Sequence, residues 1–148
     1  MNLAVPAAIA AGVLIAIQTS IIGAFGERVH PFVASTWVHV SGLVVGVIGV
    51  ALAPRLGFEF AAVRQAPWGL LAGVAGLLLV SAIAVAVGGI GLASTLAIVT
   101  GMQLLVAFGL EATGLLGRVV ALDPVRVGGA ALIVLGVYLV AGRGPATG

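Results

Sequence analysis

The chain has no cysteine and no lysine, and only ten of its 148 residues are charged, six arginines and four acids. Without cysteine there is no disulfide framework, no thiolate metal site and no cysteine nucleophile. The pI near 10.6 rests on arginines scattered singly along the chain. With no basic patch, nucleic acid is excluded as a partner. The usual catalytic and cofactor signatures are missing as well: no HExxH, CxxC, P-loop or GxSxG, and no Rossmann glycine fingerprint before a strand. Gly88-Gly89-Ile90-Gly91 is glycine-rich, but no Lys-Ser/Thr follows it, so it reads as a helix turn and not a phosphate cradle. One histidine inside the apolar runs and two glutamines supply no nucleophile–base pair, so an enzyme is not expected, and neither a cofactor nor a metal is expected.

What is present is apolar. Hydrophobic residues make up 62% of the chain and charged residues 7%, and the mean hydropathy is +1.35. Gln65 to Leu110 is a run of 46 positions without a charge, and Val127 to Gly142 is a second charge-free run. At ~1.5 Å rise per residue and a bilayer core of ~30 Å, the longer run crosses a membrane about twice. The chain is therefore expected to be an all-α integral membrane protein, one membrane domain over residues 1–148, with lipid as its solvent.

Five transmembrane helices follow from the charged borders. The first covers about residues 3–25 and ends at Gly26-Glu27-Arg28. It has no basic flank before it and is longer than the ~7–15 apolar residues of a secretory signal, so it is read as a retained helix. The second covers about 32–53, opened by Pro31, whose missing N–H costs nothing in a first turn, and closed by Pro54 and Arg55. Residues 55–67, with Leu56, Phe58 and Phe60, suggest a short segment at the interface. Trp68 starts the third helix, about 68–87, at headgroup depth. The glycine cluster turns the chain into the fourth, about 92–110, and the fifth covers about 125–140, with Arg126 and Arg143 snorkelling to the two interfaces. Five crossings put the termini on opposite sides. Arg55, Arg64, Arg118 and Arg126 on one side against Arg28 and Arg143 on the other favour a cytoplasmic N-terminus, by an excess of two that is compatible with dual topology.

Helix rise also sets depth. Gln18, His39, Ser81, Thr100 and Gln103 all fall roughly 10–18 Å from the same membrane face. Thr100, Gln103, Ala107 and Glu111 lie on one helical face. Gln103 and Gln18 are either the hydrogen-bonding wall of a substrate cavity or interhelical glue, the latter worth ~0.6 kcal/mol per bond on average; both amides are costly in lipid. The first reading has Gln18, His39 and Gln103 lining one cavity. His39 lies on the face Ser35, His39, Gly42, Gly46, whose small residues let another helix approach, so it points into protein or a cavity. It is the titratable group well inside the membrane and hence the proton-coupling candidate; the competing reading is a satisfied structural histidine. Trp37 is an interfacial anchor or a stacking contact for an aromatic or cationic ligand. Glu111 either binds a cation or pairs with Arg118. Gly42/Gly46 and Gly69/Gly73/Gly76 look like close-contact faces, and Gly128, Gly129 and Gly136 like a dimer seam.

The order of features resembles the YdcZ-type branch of the drug/metabolite transporter superfamily, over essentially the whole chain. The resemblance is carried by Gln18 before a small-residue helix end, a glycine-rich second helix, Pro67-Trp68, the segment Thr100-Gly101-Met102-Gln103-Leu104-Leu105 with Glu111 and Gly114 after it, and a last helix reading GGAALIVLGVYLV. The chain departs from the family pattern at Ile22, where that pattern has Asn, and at Val38-His39, where it has Ser-Phe. The resemblance implies a bacterial inner (plasma) membrane protein that is half of a ten-helix inverted-repeat transporter fold. It implies pairing as an antiparallel homodimer or with a paralogous sister half, and alternating access around a small-molecule substrate. Substrate-site candidates are then Gln18, His39, Gln103, Thr100, Ser81 and Trp37. The alternative function is a non-transporting small membrane subunit or assembly partner.

Overall fold

The computed structural model describes residues 3–53, 57–113 and 123–142. Among them are six α-helices and one 3-10 turn: α1 Ala4–Gly26, α2 Pro31–Leu52, α3 Phe60–Gln65, the turn Pro67–Leu70, α4 Leu71–Ile90, α5 Leu92–Thr113 and α6 Pro124–Ala141. Five of these segments, with the 3-10 turn joined to α4, are long and apolar enough to cross a membrane, and no strand occurs among the described residues. The fold is all-α, as the apolar runs require.

The helix ends follow local chemistry. His30 caps α2, its Nδ1 accepting from the N–H of Phe32 at 3.3 Å, with Pro31 in the first turn. Asp123 caps α6, its Oδ1 accepting from the N–H of Arg126 at 2.9 Å, with Pro124 behind it. Three boundaries differ from the sequence reading. α4 begins at Leu71, after the 3-10 turn Pro67–Leu70 that holds Trp68, and not at Trp68 itself. Gly88 and Gly89 do not turn the chain: α4 continues through them to Ile90, and the break falls at Gly91, whose φ of +78° an L side chain rarely adopts. Inside a bilayer no water competes for the backbone, so leaving the helix is costly and glycine alone does not end it. At its other end α5 runs on to Thr113, which makes Glu111 part of the helix. The connection after α2 carries the short α3, preceded by Phe58 stacked on Phe60 at 5.8 Å; Leu56 and Arg55 lie outside the described residues.

The chain divides into two compact units, Met1–Gly88 and Gly89–Gly148. In the first, α1 and α2 pack on each other and both meet α4. The buried side of α1 is Thr19, Ile22 and Gly23, spaced for one face. A Cβ on Gly23 would collide with Val87, and one on Gly26 would sit 3.1 Å from the Cβ of Ala84, so these two glycines let α4 approach. From α2 come the buried Ala34 and Ser35, and from α4 Val80, Ile83 and Ala84. All of this burial lies in the last turns of α1, the first turns of α2 and the second half of α4. Elsewhere on these helices and in the turn before α4, Gly12, Gly42, Gly46, Gly49, Gly69 and Gly73 meet nothing within 4 Å.

The second unit is an α5–α6 hairpin. Gly101 brings the helices together, since a Cβ there would lie 2.8 Å from Val137 Cγ2. Glu111 and Arg126 pair at 3.5 Å where α5 ends and α6 begins, and Arg126 reaches Asp123 at 3.7 Å.

Five spans are an odd number, so tags placed at the two ends of one molecule should be accessible from opposite sides of the membrane. Tags that label together from one side in intact cells would refute the five-crossing topology. Arg118 and Arg143, used in the charge count, lie outside the described residues.

Candidate functional site

Between α1 and α2 the first unit has a groove of about 530 Å³. Leu14, Ile17, Gln18 and Ile21 line it from α1; Val38, Ser41, Gly42 and Val45 line it from α2. Each set is spaced i, i+3, i+4, i+7, the signature of one helical face turned toward a neighbour. Seen along α1, the groove face and the Thr19–Ile22–Gly23–Gly26 face are different sides of the same helix. Gln18 stands on the groove side, and its amide has no hydrogen-bond partner among the described residues. Ser41 donates its hydroxyl proton to the Val38 carbonyl at 2.8 Å, which leaves its oxygen free to accept.

His39 lies elsewhere. Its Nδ1 is 2.8 Å from the carbonyl oxygen of Ser35; a carbonyl only accepts, so Nδ1 carries a proton and Nε2 is the nitrogen left to gain or lose one. Nε2 is aimed at α4, where a Cβ on Gly76 would stand 3.1 Å from it. Beside it, the fully buried Ser35 donates to the Leu77 carbonyl at 2.7 Å, and Ser81 donates to the same carbonyl at 2.8 Å. The structure therefore joins His39, Ser35 and Ser81 around one turn of α4. It places Gln18 in the groove, with different neighbours.

In the second unit Thr100 and Gln103 are exposed on α5, and no hydrogen bond of either side chain occurs among the described residues. Trp37 is 60% exposed on α2, outside the groove lining. Glu111 takes Arg126 as its partner. Gly128, Gly129 and Gly136 meet nothing within 4 Å, so α6 leaves them open to lipid or to another chain. The contact faces foreseen at Gly42/Gly46 and Gly69/Gly73 are open as well, and only Gly76 of that set touches a neighbour.

Several residues that matter here were not singled out from sequence. Gly23, Gly26 and Gly101 make the close helix approaches, Ser41 shares the groove with Gln18, and the buried Thr95 donates its hydroxyl proton at 2.7 Å to the carbonyl of Gly91, the residue just before α5. A signal for Ser41 and Gly42 existed in their i, i+3, i+4 relation to Val38. None existed for the glycines, because which helix arrives opposite them is not a local property.

A family model described as "Putative inner membrane exporter, YdcZ" matches residues 3–139. The chain belongs to the YdcZ family. No curated protein and no solved structure matches it. Membership of this exporter family, together with five membrane-crossing helices, makes the chain an inner-membrane transport protein in contact with the bilayer. The YdcZ-family match spans both compact units. Ile22, one of the positions where this chain departs from the family pattern, is only 1% exposed. It packs the core, and Gln18 supplies the amide of α1.

Proposed function

We propose that the chain exports small molecules by alternating access, as one five-helix half of a dimer, with Gln18 and Gln103 as its principal substrate contacts. The observation that carries this reading is the pair of amides without partners in helices whose other surroundings are apolar. An amide left unbonded in an apolar medium costs roughly 2–7 kcal/mol depending on the reference state; a substrate, or a second chain, removes that cost. Ser41 adds an acceptor beside Gln18, and Thr100 lies one turn from Gln103. Ser81 is engaged within α4 and supports the His39 turn instead of the substrate. The test is flux in proteoliposomes, in which the wild-type chain accumulates or releases a substrate and an amide-free variant does not.

The partner half is a second copy in antiparallel orientation or a sister chain, and the seam includes Gly128, Gly129 and Gly136. Their open surroundings on α6 support close approach by another backbone, which drives helix association in lipid. Gly129→Leu should shift the detergent-solubilised protein from dimer toward monomer in light scattering. A variant that stays fully dimeric removes α6 from the seam.

His39 is the proton-coupling residue in this scheme. The fixed Nδ1–H leaves Nε2 as the site of exchange, and no described charged side chain lies in α1, α2 or α4 to take its place. His39→Gln keeps a hydrogen-bonding side chain and removes the titratable ring. It should flatten the pH dependence of flux, because the ring that exchanges the proton is gone. An unchanged profile would return His39 to a structural role between α2 and α4.

A further inference from the structure

We infer that the groove between α1 and α2 takes uncharged amphiphilic molecules, with an apolar body, one or two hydrogen-bonding groups such as an alcohol or amide, and no net charge. The inference rests on reading the chain as an exporter, and it names the class of molecule that this reading leaves open.

Three observations combine. The first is the absence of any ionisable side chain in the groove. Six of its eight lining residues are apolar and the other two, Gln18 and Ser41, are neutral. On α1 the next charge is Glu27, nine residues or about 13 Å further along the helix. On α2, Arg28 precedes the helix altogether. His39 neighbours Val38 in sequence, but its Nδ1 is spent on Ser35 and its Nε2 is aimed at Gly76, away from the lining. An ion entering here would lose its water and find no counter-charge, which costs several kcal/mol even after relaxation.

The second observation is the hydrogen-bonding inventory. Gln18 offers an N–H donor and a carbonyl acceptor, both unused among the described residues. Ser41, having given its proton to Val38, offers an acceptor. A hydroxyl or amide on the ligand matches this set: it donates to the Gln18 carbonyl or to Ser41 Oγ and accepts from the Gln18 amide nitrogen. A ligand with no polar group would leave the Gln18 amide unpaired, so a plain hydrocarbon or acyl chain is the poorer occupant.

The third is size. A volume of about 530 Å³ falls within the roughly 300–1,000 Å³ of small-molecule sites. Gly42 holds part of that space open, since its missing side chain would meet nothing within 4 Å.

A charge series on one scaffold tests the assignment: naphthalenemethanol, naphthylmethylammonium and naphthoate, in equilibrium dialysis at pH 7 against the purified full chain in lipid nanodiscs, with empty nanodiscs subtracted. The alcohol should bind at least about tenfold more tightly than either ion. Gln18→Leu, which keeps bulk and removes the amide, should weaken the alcohol by about tenfold. Gly42→Leu places a side chain in the groove at a position where a Cβ meets nothing within 4 Å, and should abolish binding while the melting temperature does not fall below that of the wild type. Equal or tighter binding of the ammonium or the carboxylate, lost in Gly42→Leu, would overturn the neutral class and leave the exporter reading standing. Alcohol binding that neither variant weakens, or no binding above empty discs, would overturn the groove assignment. Flux of the bound alcohol in proteoliposomes separates the two claims, because a molecule that binds in the groove but is never moved supports the class and sinks the exporter reading.

Discussion

Gln103→Leu should cut export by about tenfold or more while the purified protein melts within a few degrees of the wild type. Tenfold is ~1.4 kcal/mol, within the roughly 1–3 kcal/mol that a polar group of the bound substrate costs when its partner is removed. The side chain is exposed on α5 and bonds to no described residue, so the substitution breaks no contact of the described fold. Leucine has similar bulk and is far better solvated by lipid than an amide, and the fold has no reason to suffer. If the amide instead held a second chain, its loss would cost ~0.6 kcal/mol on average and at most ~1.7 kcal/mol. That would read out as a weaker dimer with flux per dimer unchanged. Flux in proteoliposomes and light scattering on the same preparation separate the outcomes. Undiminished flux per dimer would remove Gln103 from the substrate path and favour the reading of the chain as an assembly partner.

The largest expected effect on stability is at Gly23. A Cβ there would collide with Val87 Cγ1 and also lie 3.0 Å from Val87 Cβ. Valine is branched at Cβ and has little rotamer freedom in a helix, so it cannot swing aside and the helices must move apart. Overpacking of this kind costs roughly 1–3 kcal/mol. Gly42→Ala is the control. It meets open space and should gain up to about 1 kcal/mol of helix propensity. Gly23→Ala gains the same propensity, so the two alanine variants should differ by the overpacking cost, roughly 1–3 kcal/mol in stability, with Gly23→Ala the lower in thermal melts. Removing the obstacle decides the cause: Gly23→Ala combined with Val87→Ala should recover most of the loss. Equal melting of Gly23→Ala and Gly42→Ala, or no recovery in the double variant, would show that α1 and α4 do not meet at this glycine.

The sequence by itself determined the solvent, the class and the number of crossings. Forty-six positions without a charge leave no alternative to helices in lipid, because every backbone N–H and C=O must be bonded within its own segment. Trp68 stands in the 3-10 turn that leads into α4, whereas Pro31 marked a helix start through its missing N–H, a local effect. The family was legible for the same reason, in short strings such as Gly101-Met102-Gln103-Leu104-Leu105. Local signals failed where two outcomes are equally local: Gly88 and Gly89 read as a turn, yet the helix passes through them and only Gly91 takes the positive φ that ends it. Everything that depends on which side chain arrives from elsewhere was decided by tertiary structure. The glycines at 23, 26 and 101 make the close approaches, while those at 42, 46, 69 and 73 stand open, and nothing in their immediate neighbours distinguishes the two groups. Depth placed Gln18 and His39 at the same level, but helix rise does not give azimuth. The packing of α1 and α2 on α4 turned His39 toward Gly76 and left Gln18 in the groove, because a side chain's neighbours are set by the helix that fills the space opposite it.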